Sequence, residues 1–120
     1  MIDNPERLRR AAALLRICAD GIGQNASDER RALRSIAGEC DRLAVALDAD
    51  PHCVDAVETA AGEVDVLENA SFALCDHLCT GEQKRLVGSA LPGLAWTAHE
   101  IITDASDGLT ERVRALYANA

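Results

Sequence analysis

The 120-residue chain reads as all-α: an antiparallel helical bundle of four main helices plus a short C-terminal helix. Two observations predict this. Apolar residues recur at alternating spacings of three and four along most of the chain, and helix-start and helix-stop residues interrupt that rhythm at short intervals. No stretch shows the strict alternation of a half-buried strand. The composition suits one small core, with 48% apolar residues, 27% charged and only three aromatics, Phe72, Trp96 and Tyr117. A chain of this size supports a single domain over residues 1–120.

Asn4-Pro5-Glu6 predicts the first helix start. Asn4 can cap, Pro5 loses nothing by lacking an N–H in the first turn, and Glu6 suits the positive helix end. Leu8, Ala11, Leu15, Cys18 and Ile22 share one face, and Gly21-Ile22-Gly23 ends the helix near Asp20 with Ile22 as the apolar residue past its end. The second helix is expected from Asn25 or Ser27 to about Asp48, with Leu33, Ile36, Cys40, Leu43 and Leu47 as its stripe. Asp50-Pro51 then predicts a short link and a third helix from Pro51 to about Cys79. Its seam, Cys53, Val57, Ala60, Val64, Leu67, Ser71, Leu74 and Leu78, follows a 4,3 repeat without a break, as in coiled coils. Gly62 lies off that seam, either as a close-approach point or as a weakness of up to about 1 kcal/mol.

Thr80-Gly81-Glu82-Gln83 fits a capping box, in which Thr80 covers the N–H of Gln83 and Gln83 reaches back. The fourth helix is expected there, with Val87, Leu91, Leu94, Ala98 and Ile101 as its seam and a kink or break at Gly88 to Leu91 caused by Pro92. Asp104 to Gly108 is expected to turn. Leu109, Val113 and Leu116, with Tyr117 beside them, then make the short last helix.

The formal charge of −8 disfavours bare phosphate backbone and anionic membrane surfaces, and three aromatics leave little material for stacking bases. That charge is uneven. Met1 to Arg42 carries eight basic and seven acidic residues, whereas Leu43 to Ala120 carries four basic and thirteen acidic. The third helix alone holds Asp55, Glu58, Glu63, Asp65, Glu68 and Asp76 with no Lys or Arg, and Asp55, Glu58, Asp65 and Asp76 share one broad side. No apolar run approaches the roughly 18 residues of a membrane span. The opening residues lack the pattern of a secretory signal, and five scattered cysteines suit reduced thiols rather than a disulfide framework. A cytoplasmic protein is expected.

Chemical motifs are sparse. Cys75 and Cys79 are four apart and could share a soft metal with two further ligands such as His52 or His99, against the alternative of buried structural thiols. No histidine has a Glu three residues before it, which removes ferritin-like iron chemistry. Gly-x-Ser-x-Gly, Walker and dinucleotide-binding patterns are all missing. The leading expectation is therefore a non-enzymatic protein-protein interaction module, a small regulator, adaptor, immunity protein or inhibitor, with no cofactor. Its expected partner is another protein, with a basic surface as the match to these carboxylates, and the chain itself is expected to homodimerise. The candidate binding residues are Asp55, Glu58, Asp65 and Asp76, with an apolar surplus of Leu14, Ile17 and Trp96 lying outside the helical seams.

Two resemblances accompany this reading. His77-Leu78-Cys79-Thr80-Gly81 resembles the His-x-x-Lys-Gly pattern of histidine phosphotransfer domains, which are four-helix bundles of about this length. The likeness covers His77 and Gly81, Thr80 stands at the lysine position, and the resemblance implies His77 as an alternative phosphoryl acceptor. Leu67-Glu68-Asn69-Ala70-Ser71, with the helical stretch through Ile102, resembles a segment of short uncharacterised helical proteins of proteobacteria and implies no activity.

Overall fold

The computed structural model describes residues 2–23, 26–80 and 90–119, and the described residues form four helices. They are α1 (Asn4–Gly21), α2 (Ser27–Ala49), α3 (Val54–Leu78) and α4 (Leu91–Ala118). α1 packs on α2 and α4, and α3 packs on α2 and α4, so the helices run around the bundle in chain order and the diagonal pairs keep their backbones apart. The antiparallel all-α bundle read from the periodicity is present, within extents of 52 × 24 × 21 Å.

α1 is capped one residue earlier than expected. The Asp3 carboxylate accepts the Glu6 N–H at 2.9 Å, which places Asn4 and Pro5 inside the first turn. Its C-terminal end closes as the sequence predicts, with Ile22 buried just past the last turn. The orphan carbonyls there are satisfied from α2: Arg30 donates to the carbonyls of Ala19, Ile22 and Gly23. α2 begins at Ser27, while the alternative start at Asn25 lies outside the described residues.

α3 does not start at Pro51. Asp50 N–H bonds back to Ala46 and closes α2, Cys53 N–H bonds to the Asp50 carbonyl, and Pro51 and His52 lie in the turn between them. Arg112, arriving from α4, donates to the Pro51 carbonyl and to His52 Nδ1 and holds that turn. The α3 seam otherwise matches its 4,3 pattern, with two shifts. Cys53 is the exposed N-cap, and Cys75 is buried where Leu74 was expected, Leu74 being half-buried beside it.

The fourth helix departs most from its sequence reading. It begins at Leu91 with Pro92 in the first turn, where no ladder bond is lost, so Pro92 starts the helix rather than kinking it. Asp104 to Gly108 is helical, so the short last helix is the C-terminal half of α4. Gly108 lies against α1: a Cβ there would stand 2.3 Å from Asn4 Oδ1, so the glycine marks a close approach between helices rather than a turn. The buried face of α4 is Ala95, Ala98, Ile102, Ala105 and Leu109, with Leu94 and Ile101 only partly buried. The phase projected from Val87 is therefore one residue off. Val87, Gly88 and the Gln83 half of the capping box lie outside the described residues. The Thr80 hydroxyl donates backwards, to the His77 carbonyl.

Gly62 and Gly38 stand in helix interiors with no atom within 4 Å of where a Cβ would be built. Gly62 is thus a weakness and not an approach point. Gly62→Ala and Gly38→Ala each raise stability by about 0.5–1 kcal/mol in chemical denaturation, because alanine adds helix propensity without a clash. A destabilised variant would contradict the open space around these positions.

Candidate functional site

Ser71 explains how α3 and α4 are held side by side. It is a polar residue in an apolar seam and only 1% exposed, and its hydroxyl is 3.0 Å from the Glu68 carbonyl and 2.7 Å from His99 Nδ1. A carbonyl can only accept. Both bonds are satisfied when Ser71 donates to Glu68 and His99 donates from Nδ1, which leaves no buried polar atom unpaired. The same geometry argues against a serine nucleophile, because the hydroxyl is sealed from solvent and its proton is committed to the backbone.

His99 so held forms an aromatic group with Trp96 and Phe72. The three rings meet edge to face, at centroid separations of 5.5 Å for Phe72–Trp96 and 5.7 Å for the two pairs with His99. Trp96 Nε1–H donates to Cys79 Sγ at 3.2 Å, which fixes the indole across the α3/α4 groove. Phe72 stands at the outer edge of this group and is 52% exposed. It was not among the candidates from the sequence. The available signal was its position on the flank of α3, one of only three aromatics and outside the helix's own seam.

The acidic residues of α3 separate into two sets. Glu63 is drawn to α2, where Arg42 bridges it at 3.1 Å and Glu39 at 2.7 Å. On the opposite flank, toward α4, Glu58, Asp65 and Asp76 lie on the side that carries Phe72, with Asp55 farther round. Glu58 accepts the Tyr117 hydroxyl, and the bond to that carboxylate pushes the phenol's pKa up; the phenol stays neutral and leaves the Glu58 charge uncompensated. Asp55, Asp65 and Asp76 are exposed and make no ion pair among the described residues.

Three arginines of the N-terminal half pair across α1 and α2. Arg9 pairs with Asp48, Arg16 with Asp41 and Arg34 with Asp20, so three ion pairs join α1 to α2. Exposed pairs of this kind contribute little stability, about 0–1 kcal/mol each. Their consequence is electrostatic: the α1/α2 hairpin neutralises itself, and the negative charge of the protein is concentrated on α3 and α4.

The other candidates are dispersed. Leu14 is half-buried against the core and Ile17 is 54% exposed, both on α1, whereas Trp96 is turned toward α3, where it meets Phe72 and Cys79. Cys75 is buried beside Cys79, and burial pushes its thiol up to about 12. Among the described residues no group of three or more His, Cys, Asp or Glu is placed to hold a metal ion. His52 is engaged by Arg112 and His99 by Ser71. His77 lies in the last turn of α3 with Nε2 3.1 Å from Glu29 Oε1, and that bond holds the Glu29 carboxyl below its ordinary range. A phosphoryl group on that nitrogen would meet a carboxylate. Between the helix ends, Leu47, Val57 and Leu109 floor a cleft of about 220 Å³, below the usual size of a small-molecule site.

Comparison with family models, curated proteins and solved structures finds no match. No helix among the described residues is long and apolar enough to cross a membrane.

Proposed function

We propose that this chain is a non-enzymatic protein-interaction module, a small regulator, adaptor or inhibitor, that docks a partner protein on the outer face of α3 and α4. The observation that carries this is the exposed Phe72, backed by Trp96 and His99, in a row of carboxylates that make no ion pair among the described residues. Aromatic anchors beside uncompensated charge suit a partner surface that is apolar at its centre and basic around it. The phosphotransfer alternative is weaker, because a carboxylate faces His77 where a phosphate would need a cation.

Asp65→Lys changes an exposed side chain and leaves the melting temperature nearly unchanged, while Phe72→Ser gives up the edge contacts with Trp96 and His99 and lowers it by a few degrees at most. Immobilised protein captures from native lysate a partner, identified by mass spectrometry, that either substitution releases. Capture that survives both, or no capture at all, overturns the proposal. Light scattering at the monomer mass of 12.8 kDa would remove the expected homodimer.

A further inference from the structure

The carboxylates beside Phe72 have a repeat. Glu58, Asp65 and Phe72 are seven residues apart, on one line along the α4 flank of α3, and Asp76 follows one turn later. At 1.5 Å per residue these positions stand about 10.5 Å apart. Seven residues is the interval at which one helix meets another. An extended strand presents same-face residues about 6.6 Å apart, so about 10.5 Å falls between one and two of its repeats. Part of the line stays open: Asp65 and Asp76 meet no cation among the described residues, Glu58 is bonded only to the neutral Tyr117 hydroxyl there, and Phe72 leans on Trp96 and His99 with one side left exposed.

Resting on the docking reading above, we infer that the α3/α4 groove receives a basic amphipathic helix of a partner protein, with two Lys or Arg seven residues apart and an apolar residue a further seven along. The cations lie against Glu58 and Asp65, and the apolar side chain covers Phe72 and Trp96. The stretch from Glu58 to Asp76 accommodates a helix of about five turns. A second copy of this chain fits less well, since its own α3 flank presents like charge and Arg9, Arg16 and Arg34 of its α1/α2 hairpin are already paired. Nucleic acid and anionic membrane meet the same repulsion.

The test is selection from a phage library of 24-residue helix-forming peptides randomised on one face. Enriched peptides are expected to carry the two-cation, one-apolar pattern in either chain direction and to change the emission of Trp96, the sole tryptophan. Their affinity falls at least ten-fold with Asp65→Lys and with Phe72→Ser. A peptide with Glu in place of the matching cation regains binding to Asp65→Lys. No enrichment, enrichment of peptides without the pattern, or affinities indifferent to both substitutions overturn the inference. If the lysate partner is lost on Phe72→Ser while no patterned helix binds, the docking reading stands and the helical occupant is wrong. Patterned helices that bind while lysate capture ignores both substitutions leave the groove chemistry intact and remove the docking function.

Discussion

Ile102→Ala lowers the stability of the bundle by about 2–5 kcal/mol, whereas Ile101→Ala, one residue away, costs less than half of that. The Ile102 side chain is fully buried between Ala98 and Ala105 on the inner face of α4, while Ile101 packs against the edge of the core and remains partly open. Removing buried methylenes forfeits their transfer free energy and leaves a cavity, and a partly open site loses less on both counts. Urea unfolding of the two variants decides the order. The seam projected from Val87 runs through Ile101 and predicts the reverse. Spacing alone fails here because steps of three and four from Ala98 reach Ile101 and Ile102 alike, and only the packing of α4 against α1 and α3 chooses between them.

At pH 8 the five cysteines divide into two that react with iodoacetamide and three that do not until the chain unfolds. Burial pushes Cys18 up to about 11, and Cys40 and Cys75 up to about 12. The thiolate is the nucleophile, and at pH 8 those values leave about one part in a thousand of it on Cys18 and about one in ten thousand on the other two. Cys53 is exposed and Cys79 half-buried. Mass spectrometry over time is expected to show two additions in folded protein, at least a hundred times faster than the rest, and five in guanidinium. Five fast additions to folded protein would contradict the burial of Cys18, Cys40 and Cys75.

The same three thiols couple stability to pH in one direction. The folded state keeps protons that an unfolded cysteine releases near its ordinary pKa, about 8.5. Their contribution is complete below that value and is lost as pH rises toward 11–12. The melting temperature therefore falls between pH 9 and 11, and Cys40→Ala makes that slope shallower.

Much of the bundle was legible in the residues. The buried stripes of α1 and α2 are those their spacing predicts, and the α3 seam is correct for Val57, Ala60, Val64, Leu67, Ser71 and Leu78. Boundaries were read less well where a proline or glycine carries two meanings. Asp50-Pro51 reads equally as a helix start and as a turn, and Arg112 from the far end of the chain holds the turn. Gly108 reads as a stop, yet it is the small residue that lets α4 pass Asn4 of α1. The acidic side of α3 was visible as charge, but its division into a set neutralised by Arg42 and a set left open was not.

Helix existence, the inward faces of α1 to α3 and the asymmetry of charge follow from the sequence alone, because period and capping act within a few residues along the chain. Only the folded bundle decides which flank of α3 meets α2 and which meets α4. It thereby decides that Phe72, Trp96 and His99 meet at one place while Leu14 and Ile17 stay on α1, and that Arg9, Arg16 and Arg34 pair with carboxylates of the facing helix. Those are contacts between residues tens of positions apart, and local spacing holds no record of them.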